Sequence, residues 1–483
     1  MKKLALIFIS FFTVAFACCD NSDDTSVIEQ PKLTSSEIAE QNILRSMEIV
    51  DNAVECYFKG DNMVMSRYYN PYTQSASSEL ASVWMYTSSI EAVNSIMEAL
   101  ETQKSNGNAK LYNDNFDRYK QLLAKLYDNI DYYLGTYSLT SFTQTKEWSV
   151  YAVNRSSEKG KASVSGIDNV YDDQEWLIRE LINSYNLTKE KTYLDKAEYL
   201  ASYVLDGWDC IINENGEESG GIPWGPGYVT KHSCSNGPFI SPLVWLYELY
   251  RGKSDEVTYG VVDINGNRKS VTEKKSKYYL SFAKKIYDWQ KKTLMNESKG
   301  VYYDMLGGCT ECSPSYEIVD GVKYRKHENL TDPTGDEISY NSGTMLSGGS
   351  DLYRVTLIPT YLNDIKSLSD ASFGYFAKLN ASKEGYYSYS ISGFNNWFNN
   401  VLMRGFVDVY PRYNGVSTAI ESFQKNLDYA YDKYLYKKML PTNLLVGWSL
   451  TKANNNVEGM FTFAFAAEYA ALAKYELQKG DDL

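Results

Sequence analysis

Two stretches of the chain, SYNLTKEKTYLDKA (residues 184–197) and LYRVTLIPTYLNDI (352–365), carry Tyr, Thr, Thr, Tyr and Leu at identical spacing. KYYLSFA (277–283) repeats the Tyr-Leu-x-x-Ala core of the first. Recurrence of one supersecondary pattern at distant places is the mark of a repeat architecture, in which each unit buries its apolar face only against its neighbours. The repeated stretch spans the end of one apolar periodicity and the start of the next, so the unit reads as a helix hairpin with a very short turn.

Working outward from these hairpins, apolar residues recur at helical spacing in twelve segments. They are placed near 36–59, 80–102, 112–135, 172–187, 190–206, 237–251, 272–295, 340–355, 358–378, 393–411, 415–437 and 456–479. Links leaving one set of helices are mostly two or three residues long, whereas links entering that set are long. Alternation of this kind predicts an all-α (α/α)6 barrel of six helix hairpins, with the long loops gathered at one mouth where binding residues belong. Small β-hairpins are expected as insertions in those loops. Asn265-Gly266 reads as a type I′ turn on the far side, and a second hairpin turns at Asp320-Gly321 on the functional rim.

The whole chain has 483 residues, 43% apolar and 23% charged, enough to build a large core. Its net charge of -13 argues against nucleic acid, whose phosphates need clustered Lys and Arg. Forty-three tyrosines and nine tryptophans suit helix packing and also stacking on sugar faces. Two lysines, the apolar run LALIFISFFTVAFA and then Cys18 read as a lipoprotein signal peptide over 1–17, with Cys18 as the lipidation site and Cys19 as an alternative. Residues 18–35 form an acidic tether, leaving 36–483 as one catalytic domain. The expected place is the outer membrane or cell surface of a Gram-negative bacterium, held by a lipid anchor, and the expected state is a monomer. Cys309 and Cys312 form a C-x-x-C that lacks the further ligands of a zinc site, so no metal or other cofactor is expected.

Aligning Tyr185 with Tyr353 sets Asp172 and Asp173 at the same level as Tyr340 and Asn341, and SNGP (235–238) falls there too. All three stretches then begin inner helices at the mouth. Asp172 with Glu175 three residues on has the spacing of a capping box. The same two neighbouring aspartates can serve as nucleophile and acid on opposite sides of an anomeric carbon, with mutual repulsion raising one of them. With only His232 and His327 in the chain, there is little material for a Ser-His-Asp or Cys-His centre. Trp176, Trp224, Lys231, Asn236, Tyr340 and Asn341 are candidate substrate contacts, each also readable as core, surface or cap; Trp208 reads as core.

VYDDQEW, LTKEKTYLDKAEYLASYVLDGWD, GGIPW, K-x-x-x-SNGP and YNSGT occur in this order in the chain. In that order they resemble glycoside hydrolase family 76, the endo-α-1,6-mannanases, over roughly residues 79–475. The resemblance implies an (α/α)6 fold and retaining cleavage of α-1,6-mannosidic linkages of fungal-type mannan, with Asp172 as nucleophile and Asp173 as acid/base. His232, where Asn is expected, and Glu175, where small residues are common, depart from the pattern. The rival reading is a surface lipoprotein that binds glycan on the same scaffold without cutting it.

Overall fold

The computed structural model describes residues 33–307 and 313–480. The signal peptide, Cys18 and the pair Cys309 and Cys312 lie outside the described residues. Twelve α-helices occur in chain order: α1 (Ser35–Tyr57), α2 (Val83–Ser105), α3 (Lys110–Ile130), α4 (Tyr171–Thr188), α5 (Lys191–Asp206), α6 (Gly237–Tyr250), α7 (Lys275–Leu294), α8 (Ser339–Thr356), α9 (Pro359–Phe376), α10 (Asn395–Val409), α11 (Ser417–Tyr434) and α12 (Gly459–Lys479). Each falls on one of the twelve periodic segments, with ends shifted by a few residues.

The even-numbered helices form the inner ring. Helix α2 packs on α4, α4 on α6, α6 on α8, α8 on α10, α10 on α12, and α12 closes on α2. The odd-numbered helices pack outside, and α1 docks on α12, so the first and last helices among the described residues make the sixth hairpin. Burial follows this division. Helix α3, in the outer layer, buries one stripe (Leu111, Phe116, Tyr119, Leu123, Leu126, Ile130), whereas α8 buries nearly everything from Ser339 to Ser350. An inner helix enclosed on all sides needs small residues where backbones meet. A Cβ on Gly343 would lie 2.5 Å from the Val401 carbonyl oxygen, and one on Gly405 would lie 2.6 Å from that of Gly343, so these glycines let α8 and α10 touch.

The repeat has a conformational basis. Helix α4 ends at Thr188 and Lys189 turns left-handed at φ 62°; α8 ends at Thr356 and Leu357 does the same at φ 57°. Both residues return an amide hydrogen bond to the tyrosine four residues back, Tyr185 and Tyr353 respectively. A non-glycine residue in this region is uncommon, and here it makes a two-residue turn that folds the outer helix straight back.

The links into inner helices cover residues 58–82, 131–170, 207–236, 295–338, 377–394 and 435–458, all at one end of the barrel. The hairpin Tyr316–Val319 with Val322–Arg325 turns at Asp320 (φ 52°) and Gly321 (φ 82°), as a type I′ turn requires. The other hairpin departs from expectation. Only Gly266 has positive φ, and Asp263 pairs with Asn267 across Ile264, Asn265 and Gly266, giving a three-residue loop. Asp263 accounts for the longer turn, because its carboxylate accepts the amides of Asn265 and Asn267 at 2.9 Å each. Among the described residues, no helix is long and apolar enough to cross a membrane.

Candidate active site

A cleft of about 500 Å³ opens at the mouth. Its lining comes from inner-helix first turns and the loops entering them: Trp84, Asp172, Trp176, Tyr340, Phe394 and Phe398 on one side, and Trp224, His232, Cys234, Asp304 and Asp336 on the other. Asp172, Asn236 and Tyr340 therefore stand at the same end of the barrel. The aromatic wall is a mutual packing, with Trp176 against Trp397 at 4.8 Å, Trp84 against Trp397 and Phe394 at 5.0 Å each, and Tyr340 against Phe398 at 5.6 Å between ring centroids. The Trp176 indole donates to the Tyr340 hydroxyl at 2.7 Å, which in turn donates to the Cys234 carbonyl at 3.4 Å.

Helix α4 starts at Tyr171, with Val170 as its cap residue and no side-chain cap. The capping-box reading of Asp172 and Glu175 does not hold: both residues sit inside the first turn or just beyond it. The Asp172 carboxylate accepts the Asp173 amide at 3.1 Å, and Glu175 is fully buried with neither oxygen partnered. What fixes the helix start is the neighbouring loop, since the Tyr171 amide donates to the Trp224 carbonyl at 2.8 Å. That bond also places Trp224 over the cleft, where its ring stacks on His232 at 4.8 Å.

Successive helical positions are about 100° apart, so the two aspartates diverge. Asp172 lines the cleft, while Asp173 lies beside it and is 7% exposed. Burial raises Asp172 to about 6, and the Cys234 thiol, the Asp173 amide and the Trp224 indole N–H pull it back. The Trp224 indole nitrogen is buried without a well-formed hydrogen bond, so its pull is that of an oriented dipole at longer range. Asp173 is pushed well above the carboxylate range by burial and then by the charge of Asp172. Both shifts disfavour two negative charges on the pair at once. Two neighbouring carboxyls in opposite protonation states are what nucleophilic attack combined with proton donation requires.

Three of the expected substrate contacts, Lys231, Asn236 and Asn341, are not among the residues that line the cleft, and their side chains bind neighbouring loops. The Lys231 ammonium is bound to Asp209 at 2.8 Å in a buried ion pair that His327 joins at 2.7 Å. Asn236 clamps its own loop, donating to the carbonyls of His232 (2.7 Å) and Ile222 (3.0 Å) and accepting the Ile222 amide at 2.9 Å. Asn341 donates to the Tyr303 carbonyl at 3.2 Å, next to Asp304. In each case a long polar side chain satisfies loop backbone that leaves the sheet-poor mouth without other partners. Trp176, Trp224 and Tyr340 do line the cleft. Trp208 is 4% exposed and packs on Phe282, as core.

The sequence reading missed Trp84, Phe394, Phe398, His232, Cys234, Asp304 and Asp336 as lining residues. The repeat alignment could have flagged Trp84, which stands two residues into α2 much as Asp172 stands two residues into α4. Asp304 is raised to about 6 by burial and by Asp336. His232 is lowered to about 4 by burial, so its imidazole is neutral at neutral pH. Among the described residues, no group of three or more His, Cys, Asp or Glu side chains is placed to hold a metal ion.

Comparison with known proteins matches the glycosyl hydrolase family 76 model over residues 270–472. No curated protein matches the chain significantly. A family 76 glycoside hydrolase (mannosidase) from Bacteroides thetaiotaomicron superposes with a TM-score of 0.66 at 19% identity, covering 91% of this chain and 100% of its own. An inactive α-1,6-mannanase from Salegentibacter sp. HEL1_6, in which two consecutive aspartates are replaced, is bound to α-1,6-mannotriose; it matches with a TM-score of 0.57 at 17% identity over 91% and 99% of the two chains. A protein from Listeria innocua matches with a TM-score of 0.58 at 16% identity over 92% and 99%. The chain is thus similar to glycosyl hydrolase family 76 over residues 270–472 and shares its helical barrel with solved structures of that family.

Proposed function

We propose that the chain is a retaining endo-mannanase that cuts α-1,6-mannosidic linkages of mannan, with Asp172 as nucleophile and Asp173 as acid/base. The observation that carries this reading is the buried aspartate pair at the head of α4, both carboxyls raised by burial, at the edge of an aromatic cleft. Support also comes from the Salegentibacter relative, whose inactive form changes two consecutive aspartates and holds α-1,6-mannotriose. In the first step Asp172 attacks the anomeric carbon while Asp173 gives its proton to the departing glycosidic oxygen. In the second step Asp173, now ionised, takes a proton from water, and that water releases the sugar from Asp172. Trp176, Tyr340, Trp84 and Trp224 offer ring faces for successive sugar units.

The place of action we propose is the cell surface, with Cys18 acylated as the anchor; mass spectrometry of the mature protein showing an unmodified N-terminus downstream of Cys18 rejects the anchor. Debranched α-1,6-mannan tests the activity. A ladder of oligosaccharides, with the α-anomer formed first by NMR, is the expected product. Mannan bound but uncut identifies a glycan-binding protein instead, and a β-anomer formed first rejects retention.

A further inference from the structure

A second cavity, of about 120 Å³, lies on the other side of α10 from the cleft, walled by α10, α11, α12 and the loops 377–394 and 435–458. Phe394 and Phe398 face the cleft, while Asn396 and Asn399 line this cavity, so the first turn of α10 separates the two spaces. Its floor carries polar groups that the protein leaves unused. Glu468, 2% exposed, lines the cavity, and the amide oxygen of Asn426, 7% exposed, is buried there without a hydrogen-bond partner. Asn396 spends its amide N–H on the Thr442 carbonyl at 3.0 Å, and Asn443 spends its oxygen on the amides of Leu445 and Val446 at 3.1 Å each, so the other end of each side chain is uncommitted. Phe423 and Phe465 supply apolar wall between these groups, and Val446, 71% exposed, stands at the rim.

A buried polar group without a partner costs about 1–3 kcal/mol, and the Asn426 oxygen, facing a cavity also lined by the Glu468 carboxyl, points to something that fills it. We propose that this cavity is a second saccharide site that takes a single neutral hexose unit. Hydroxyls supply donors to Glu468 and Asn426 and accept from Asn443, and C–H faces of the ring meet Phe423 and Phe465. A cation fits less well, because burial with Glu91 nearby holds the Glu468 carboxyl well above its usual range and so disfavours its charged form. An uncharged carboxyl also keeps one donor and one acceptor, matching a hydroxyl pair. The volume admits at most one ring, which suits a chain end, a side-branch unit or a released monosaccharide.

The site stands apart from the catalytic reading; only the choice of D-mannose as probe rests on it. Full-length protein is titrated with D-mannose by calorimetry, and crystals soaked in D-mannose locate it. Electron density for one hexose in the cavity is expected, together with solution binding that Asn426→Leu weakens at least tenfold while mannan turnover stays within about twofold. Glu468→Gln, which keeps a donor and an acceptor, is expected to weaken binding less than Asn426→Leu does. If Asn426→Leu fails to fold by circular dichroism, Asn396→Ala replaces it with the same expectation. Water alone in the cavity, a chelator-removable ion, occupancy in soaked crystals without binding in solution, or unchanged affinity in the variants would each overturn the proposal. Hexose in the cavity of a protein that cannot cut mannan leaves this inference standing and removes the proposed activity; cutting with an empty cavity does the reverse.

Discussion

Replacing Asp172 by Asn should stabilise the protein while abolishing turnover, and the magnitude follows from the site. The folded chain holds the Asp172 proton up to about pH 6, against an ordinary value of 3.8. At about 1.36 kcal/mol per pH unit, ionising this carboxyl costs the folded state about 3 kcal/mol at neutral pH. The sign is fixed by proton binding. Between about pH 4 and pH 6 the folded form carries a proton that the unfolded form has lost, so stability falls as pH rises through that window and is level above it. Asn has the same shape and no charge, so Asp172→Asn should melt about 3 °C above wild type at pH 7 in a domain of this size, with the difference vanishing near pH 4. Scanning calorimetry at the two pH values measures it, alongside hydrolysis of α-1,6-mannan, which should drop on the order of a thousandfold or more. A variant that melts at or below wild type at pH 7, or an advantage that persists unchanged at pH 4, refutes the claim that a buried charge is held here at the expense of stability.

Mannan hydrolysis should follow a bell-shaped pH profile whose acidic limb lies near 6, where Asp172 becomes ionised, and whose alkaline limb reports loss of the Asp173 proton; full activity at pH 4.5 contradicts this assignment. Trp224→Phe keeps the ring but removes an N–H that draws Asp172 down, so the acidic limb should move to higher pH, and a limb that stays or falls disproves the role of that dipole. Asp173→Asn should spare a mannoside with a good leaving group more than mannan in the first step, because such a group needs no protonation; equal losses on the two substrates count against Asp173 as the acid. Lys231→Met leaves Asp209 buried with only His327 beside it, and should cost about 3 kcal/mol of stability with little change in KM; a large rise in KM in a protein of normal stability restores Lys231 as a substrate contact.

The helices, their order and the ring were legible from the chain because helical periodicity and turn chemistry are local. Residues 184–197 and 352–365 look alike because each ends a helix, passes one left-handed residue and starts the next, all within a few bonds of one another. Asp172 and Asp173 could be placed at a mouth by the same repeat. Asn265-Gly266 shows where local reading stops, since Asp263 recruited two amides and lengthened the turn. Only the closed ring decided which side chains face the cleft. Trp84, Phe394 and Trp176 come from helices far apart in the chain, and Lys231, Asn236 and Asn341 turn their polar atoms to loop partners that sequence spacing does not reveal. The upward shift of the aspartate pair was likewise decided in three dimensions: desolvation sums over every atom packed around a carboxyl, so adjacency alone could suggest mutual repulsion but not that burial is the largest cause.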